Sequence, residues 1–254
     1  MKITIIGAGN VATHLCQSLC QCGEIEQIYS RNLANATMLT ASVGGSPTSS
    51  LSAIRGKADC YVISVVDDAI AEVVKALQGV NPNALWLHTS GSKSLTELAP
   101  LGHKFGVLYP LQTFTKGAKI NMAEVPFFIE GNSPAVTEDI RGMAQKMSHS
   151  VYEADSARRR QMHIAAVFAC NFANNLWRIA DEVLAESNLP FSVLMPLLKA
   201  SVAKLESMSP EQAQTGPAAR GDVKIIESHA SSLTGEKKDI YKLLSDSILQ
   251  HYKR

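Results

Sequence analysis

Two glycines and an alanine follow directly after the first apolar run of this chain. Residues 3–6 read Ile-Thr-Ile-Ile, and the next six read Gly-Ala-Gly-Asn-Val-Ala. Where a strand turns straight into a helix, the first glycine permits the tight turn and the second lets a pyrophosphate approach the backbone. The free amides and positive dipole of the helix then face the phosphate. The residues predicted to bind a dinucleotide are Gly7, Gly9, Asn10 and Val11.

The second predicted strand, residues 25–31, indicates which dinucleotide is bound. An NAD site places a carboxylate about 20 residues past the glycines, where it accepts a hydrogen bond from the ribose 2′-hydroxyl. This strand ends instead in Ser30 and Arg31, with no acid beside them. A guanidinium offers a fixed fork of donors to a phosphate dianion. The pair favours NADP(H), although a surface arginine after a strand would give the same pattern.

Strand and helix signals alternate through the first 150 residues, as is typical of βαβ units and a parallel sheet. Further predicted strands lie at 59–66, 84–88, 105–108, 125–129 and 150–153, with helices at 11–20, 33–42, 69–77 and 134–147. Beyond them, helices are predicted at 157–187, 191–207, 222–231 and 237–251. We predict a Rossmann-like, doubly wound, mostly parallel α/β domain at residues 1–154 and an all-α domain at 155–254.

The composition of the chain indicates which partners it can bind and in which cellular compartment it is expected. The net charge of +1 offers no field for nucleic acid or for an anionic membrane. No apolar run approaches the roughly 18 residues that a membrane span needs. Five cysteines without metal-ligand spacing indicate reduced thiols in a cytoplasmic protein, and no metal site is expected. The long helix at 157–187 suits packing against a second subunit, so we predict a homodimer through the helical domain.

Ligands of open parallel sheets bind beyond the carboxyl ends of the strands. That rule places Val66 beside the nicotinamide half of the cofactor, while the acids at 67 and 68 are explained by helix capping. It also selects His88 and Ser90, which follow the 84–88 strand, although Ser-Gly-Ser is ordinary turn chemistry as well. Tyr109 and Gln112, after the next strand, could reach inward, with a plain loop role as the alternative for both, and Gln112 is predicted to bind substrate.

The helical half supplies further candidate residues. Spacings of eight and three place His163, Asn171 and Asn174 on one stripe of an otherwise apolar helix, and such a stripe needs a hydrogen-bonding partner or substrate. Arg220, between small residues and ahead of a helix, is predicted to hold a substrate carboxylate, with Asp222 as the N-cap. The three arginines at 158–160 are most simply a solvated helix face.

With these residues assembled, the chain resembles a bacterial two-domain family of NADP oxidoreductases that joins a Rossmann-like domain to a helical domain of unknown function. The matching pieces are residues 7–12, 66–70, 88–91, 110–114, 163–171, 215–217 and 220–222. More distantly, it is similar to pyrroline-5-carboxylate reductase, deazaflavin-dependent NADP reductase, ketopantoate reductase and the 3-hydroxyacid dehydrogenases. The resemblance implies hydride transfer to or from a small C=O or C=N compound, and a dimer.

Two departures from those relatives bear on the chemistry. The hydroxyacid and ketopantoate enzymes carry a helix lysine one turn before an asparagine, whereas Val167 stands one turn before Asn171. His163 is therefore the candidate proton donor, with Asn171 and Ser90 orienting the reacting atom. The position before Pro110, expected to be histidine in the family, is Tyr109.

Three functions remain open at this stage. The first is an NADP(H)-dependent oxidoreductase acting on a small anionic carbonyl or imine compound. The second is a non-catalytic NADP-binding dimer with a regulatory or interaction role, which the missing lysine favours. The third keeps the fold but binds another nucleotide.

Overall fold

The computed structural model describes residues 1–252, and the chain divides into two compact units between Asn171 and Phe172. The first unit contains one eight-stranded sheet. Its strands are β1 (Lys2–Ile6), β2 (Glu24–Tyr29), β3 (Ser46–Thr48), β4 (Cys60–Ile63), β5 (Leu85–His88), β6 (Lys104–Pro110), β7 (Phe127–Gly131) and β8 (Val151–Glu153). Its helices are α1 (Asn10–Leu19), α2 (Leu33–Val43), α3 (Ile70–Leu77), α4 (Pro134–Met147) and α5 (Ser156–Ala166).

The strand order is β3-β2-β1-β4-β5-β6-β7-β8, and every neighbouring pair is parallel except β6 and β7. The order reverses between β1 and β4, which is the topological switch point of a doubly wound sheet. The predicted Rossmann-like, mostly parallel α/β fold is thus confirmed. The antiparallel entry of β7 and the short edge strand β3 were not predicted. The Gly-Gly-Ser-Pro sequence at residues 44–47, which overlaps the start of β3, indicated only a break.

Side chains of the central strands alternate between two apolar cores, one on each face of the sheet. On β4, Val62 belongs to one core and Tyr61 to the other, where its ring stacks on that of Trp86 with centroids 4.1 Å apart. Strands buried on both faces read as continuous apolar runs, which is why the sequence signals them clearly. β4 ends at Ile63 rather than at residue 66, because the chain leaves the sheet there to line a cavity.

Helix α5 is joined to the sheet by a buried charge. Arg159 is completely buried, and its guanidinium contacts Glu130 of β7 (Nη1 to Oε2, 2.5 Å) and the Lys93 carbonyl (Nη2 to O, 2.5 Å). The prediction of a solvated face at residues 158–160 is therefore wrong for Arg159, although Arg158 and Arg160 are exposed. This contact keeps α5 with the first unit, so the units divide beyond the predicted 154/155 boundary, which directly follows β8.

The predicted long helix is divided into α-helical and π-helical segments. After α5, a π-helical segment at Val167–Phe172 leads into α6 (Ala173–Ala185). The i→i+5 bonding of a π-helix alters the angle between successive residues. The predicted stripe of His163, Asn171 and Asn174 assumed 3.6 residues per turn throughout, and this segment changes that spacing.

The second unit is helical, and its own core is small. Its further helices are α7 (Met195–Lys204), α8 (Pro210–Ala213), α9 (Pro217–Arg220), α10 (Val223–Ser231) and α11 (Gly235–Tyr252). Within residues 172–252, the buried side chains are Ala218, Ile226, Ala230 and Ser245. Across the described chain, none of the helices combines the length and the apolarity that a bilayer-spanning helix needs.

His88, predicted to bind substrate, is a structural residue instead. It ends β5, is fully buried and does not line the cavity described below. The Ser90 amide donates to its Nδ1 (3.1 Å), so Nε2 carries the proton and donates to the Ser94 carbonyl (3.3 Å). Burial, with a contribution from Arg159, lowers the pKa of His88 from 6.5 to about 4.

This burial predicts an acid-sensitive fold. Because the pKa of His88 is lowered in the folded protein, the unfolded chain binds more protons between pH 6.5 and pH 4, and stability falls as the pH drops through that window. Integrated over this pH window, the shift lowers the free energy of unfolding by about 3 kcal/mol. In urea titrations at several pH values, His88→Asn should unfold earlier at pH 7 but lose less stability on acidification. His149→Asn, an exposed control, should keep the wild-type slope, and an unchanged slope in His88→Asn would contradict the assignment.

Candidate cofactor and substrate site

A cavity of about 810 Å³ opens at the carboxyl ends of β1, β2, β4, β5 and β6. It therefore lies at the switch point where doubly wound sheets bind their ligands, and its size is typical of a ligand site. The predicted site residues that line it are Gly7, Gly9, Asn10, Val11, Ser30, Arg31, Val66, Ser90, Gln112 and His163. The sequence thus predicted residues of six separate loop or helix segments that the fold brings to one place.

At one end of the cavity, the lining is formed mainly by backbone atoms rather than by side chains. Gly7 has φ +128°, and a Cβ there would lie 2.0 Å from the Ser64 carbonyl oxygen, so only glycine permits this approach of β1 to β4. Gly9 precedes α1, and a Cβ built on it meets nothing within 4 Å. No side chain caps the amides of α1, and its first turn contains no acid. The bare helix N-terminus beside open space fits a pyrophosphate.

The loop after β2 supplies the next part of the lining. Ser30 is nearly buried, and its amide donates to the Thr48 carbonyl of β3 (3.0 Å), which fixes the backbone there. Arg31 is exposed, and its guanidinium makes no ion pair or hydrogen bond with any residue in 1–252. An unpaired guanidinium beside a hydroxyl fits the 2′-phosphate of NADP(H), so these residues and the α1 amides together suit that cofactor.

The other end of the cavity carries side chains that can exchange a proton. The Tyr109 hydroxyl of β6 lies 3.1 Å from Nδ1 of His163 on α5, and the two rings meet edge to face. His163 is half-buried, and its Nε2 makes no hydrogen bond with a described residue. Gly91 lies against both rings. Burial raises the pKa of Tyr109, and the Asp67 carboxylate raises it further, so the phenol stays protonated at neutral pH.

Ser90 lies in the same lining, held by its own turn. Its Oγ accepts hydrogen bonds from the amides of Ser92 (3.1 Å) and Lys93 (3.0 Å). Because both contacts use the oxygen as acceptor, the hydroxyl hydrogen remains available to a ligand. The side chain of Ser92 in turn donates to the Asp67 carboxylate, which joins the loops after β4 and β5.

Several residues of the lining were not among the predicted site residues. Tyr109, which lies near the end of β6, was weighed as an inward-reaching side chain with a loop role as the alternative. Asp67 was explained by helix capping, and Lys116 was not singled out. Lys116 is exposed and has no ion pair within the described chain. Its loop is tied to α1 because the Thr115 carbonyl lies 2.9 Å from Nε2 of His14.

Besides His88, four predicted residues lie outside this cavity or are otherwise engaged. Asn171 and Asn174 are exposed and do not line it. Arg220 pairs with Asp222 (Nη2 to Oδ2, 3.0 Å), so Asp222 occupies the N-cap position of α10 without capping its amides. Gln112 does line the cavity, but the Thr113 amide donates to its Oε1 (2.7 Å), which leaves only the Nε2 group free.

Two family models match the chain. The model described as "NADP oxidoreductase coenzyme F420-dependent" matches residues 2–86, which contain the glycine turn and the Ser30–Arg31 pair. The model described as a domain of unknown function, DUF2520, matches residues 125–248. The comparison with curated proteins finds no match.

Solved structures extend the likeness over the whole chain. A "putative NADP oxidoreductase" from Bacteroides fragilis is 38% identical, with a TM-score of 0.92 over 98% of both chains. A reductive aminase from Aspergillus terreus, solved with NADPH, has 16% identity and a TM-score of 0.72 over 98% of this chain and 94% of its own.

A 1-pyrroline-5-carboxylate reductase from Streptococcus pyogenes has 16% identity and a TM-score of 0.66 over 98% of both chains. These two more distant likenesses show the shared fold, whereas the Bacteroides protein shows the family. The chain therefore belongs to the two-domain NADP oxidoreductase family, whose cofactor is NADP(H) and whose C-terminal domain is the domain of unknown function.

Proposed function

We propose that the protein is an NADP(H)-dependent oxidoreductase that moves a hydride to or from a small, anionic imine or carbonyl compound. One observation carries the proposal: a single cavity joins an uncapped helix N-terminus to a protonatable side chain pair, Tyr109 and His163. The first feature suits the phosphates of a dinucleotide and the second suits the reacting atoms of a substrate.

Different residues of the chain would bind different parts of the cofactor and the substrate. The amides of Gly9, Asn10 and Val11 would hold the pyrophosphate, and Ser30 with Arg31 would hold the 2′-phosphate. When bound, the reduced nicotinamide supplies a hydride, that is, one hydrogen nucleus with two electrons. The exposed ammonium of Lys116 is placed to hold an anionic group of the substrate, which is why we propose an anionic compound.

His163 supplies the proton that balances the hydride. In the reducing direction the substrate carbon takes the hydride, and its nitrogen or oxygen takes the Nε2 proton of the His163 imidazolium, which yields an amine or an alcohol. Imidazole exchanges protons near neutral pH, so it suits this role. Ser90 would donate a hydrogen bond to the same atom. Asn171 stays a predicted orienting residue, and the cavity offers no support for it.

We propose that the reacting bond is the C=N bond of an imine rather than the C=O bond of a carbonyl compound. The reductive aminase and the pyrroline-5-carboxylate reductase share the fold of this chain, and both names denote C=N chemistry. The Asp67 carboxylate near Tyr109 would also stabilise the positive charge of a protonated imine. A carbonyl substrate remains the alternative within the same reaction class.

The helical unit is proposed to dimerise with a second copy. Residues 172–252 bury so few side chains that a unit of this size cannot be stable on its own core. Large apolar side chains are exposed on several of its helices instead, among them Trp177, Leu197, Val202 and Leu243. Patches of this kind mark protein interfaces. We also propose a cytoplasmic location, since all five cysteines are free thiols.

Arg31→Ala should separate NADPH from NADH in binding. Losing charge-assisted hydrogen bonds to the 2′-phosphate should raise the NADPH Kd by about tenfold or more, while the NADH Kd stays unchanged. Fluorescence titration of both nucleotides measures this. Arg160→Ala, an exposed arginine outside the cavity, is the matched control. Equal losses for the two nucleotides would remove the assignment.

His163→Gln should abolish turnover while keeping cofactor binding. Loss of the proton donor should lower kcat by about 10²- to 10⁴-fold on any accepted substrate, with the NADPH Kd preserved. The assay follows NADPH oxidation against cyclic imines, keto acids and oxidised deazaflavin, with exposed His103→Gln as control. Undiminished turnover would exclude His163, and tight wild-type binding with no turnover across the panel would favour the non-catalytic alternative.

Sedimentation equilibrium should give twice the chain mass for the wild-type protein. A charge placed in the apolar surface, as in Leu197→Glu or Leu243→Glu, should shift the equilibrium toward monomer because the charge must be desolvated on association. Lys75→Glu, an exposed change in the first unit, should leave the dimer intact. A monomeric wild-type protein at tens of micromolar would contradict the proposed dimer.

A further inference from the structure

We propose that Tyr109 is the positioning residue for His163: its phenol occupies Nδ1 and so makes Nε2 the only ring nitrogen that exchanges a proton with substrate. The contact between Tyr109 and His163 does not depend on the proposed function, whereas its expected effect on catalysis rests on that function. Tyr109 is the position at which this chain departs from the histidine expected before Pro110.

The contact between the two rings is direct and sheltered. The Tyr109 Oη lies 3.1 Å from Nδ1, the ring centroids are 6.0 Å apart, and the planes meet at 73°. Tyr109 is only 9% exposed because it lies within the β6–β7 ladder opposite Phe128. A side chain held by a strand ladder offers a fixed partner to a side chain on a helix.

Gly91 leaves the space that the pair occupies. A Cβ at this position would lie 2.7 Å from Nδ1 of His163 and 2.8 Å from Cζ of Tyr109. Both distances are closer than real Cβ contacts allow, so any other residue at position 91 must displace one ring. The glycine between Ser90 and Ser92 is therefore explained by the pair rather than by turn geometry, since it has no positive φ.

The charges around Tyr109 keep its hydroxyl neutral. Asp67 raises its pKa together with burial, and Arg159 lowers it, but Arg159 is already paired with Glu130. A neutral phenol can either donate or accept. It can therefore donate to a bare Nδ1 or accept from an Nδ1 hydrogen, so Nδ1 is engaged in either tautomer and in either charge state.

The consequence concerns which atom faces the ligand. Nε2 is the nitrogen of His163 without a partner among residues 1–252, and the residue lines the cavity. When the imidazolium gives its Nε2 proton to substrate, the remaining hydrogen stays on Nδ1, bonded to the phenol oxygen. The ring then regains a proton from solvent in the same orientation. A ring without this partner would sample other orientations, which costs rate rather than affinity.

Tyr109→Phe tests the proposal with two independent readouts. In the apo protein, ¹⁵N spectra of labelled histidine should show a changed Nδ1 resonance for His163 and a smaller change at Nε2. On an accepted substrate, kcat should fall about 10- to 100-fold, as expected for a misplaced catalytic group, with KM and the NADPH Kd unchanged. Tyr152→Phe is the matched control, because its ring is exposed and its hydroxyl has no partner in the described chain.

These experiments distinguish failure of the Tyr109 inference from failure of the proposed oxidoreductase function. If no substrate is turned over, the spectra still decide whether the phenol occupies Nδ1. Unchanged nitrogen resonances in Tyr109→Phe would overturn the inference, as would an equal fall in kcat/KM carried by KM alone. Gly91→Ala gives the second variant: its Cβ should disturb the same Nδ1 resonance and lower kcat while Tyr109 is intact, and a wild-type spectrum would contradict the packing.

Discussion

The buried guanidinium of Arg159 is the contact on which the reaction end of the cavity depends. A charge with no solvent exposure is tolerated only when it is paired, and an unpaired one would cost about 3–5 kcal/mol. Its partners are Glu130 on β7, the Lys93 carbonyl in the loop after β5, and Ser156 at the start of α5. One guanidinium therefore fixes three segments that have no contact in sequence. His163 lies one turn further along α5, so its place beside Tyr109 follows from this pairing.

The two ends of the cavity consist of different chemical groups, which suit the different tasks proposed for them. At the proposed phosphate end, Gly7 has no side chain, so β1 can approach the Ser64 carbonyl. The first amides of α1 are not capped by a side chain. At the reaction end, side chains from β6, α5 and the loops after β4 and β5 meet around Gly91. Backbone amides cannot change protonation, which suits a permanently charged phosphate. A phenol and an imidazole can, which suits a substrate that gains or loses a proton.

The proposed phosphate end was largely predictable from sequence. At the proposed reaction end, His163 and Ser90 were predicted, but the contacts that position them were not. Gly7, Gly9 and Arg31 act through local backbone geometry or through their position after a strand, both of which are legible in a short stretch of sequence. Tyr109 and Arg159 act through partners 54 and 66 residues away, and no local pattern records those contacts. His88 illustrates the converse, because a histidine at a strand end looks accessible until the fold buries it. The π-helical segment at Val167–Phe172 is a further feature that the helical periodicity of the sequence did not predict.

A crystal structure of the full chain with NADP⁺ bound tests the central claim most directly. We predict that the pyrophosphate lies against the amides that open α1, the 2′-phosphate against Arg31, and the nicotinamide at the end of the cavity that holds His163 and Tyr109. A nucleotide bound elsewhere, or one whose nicotinamide lies away from that pair, would contradict it.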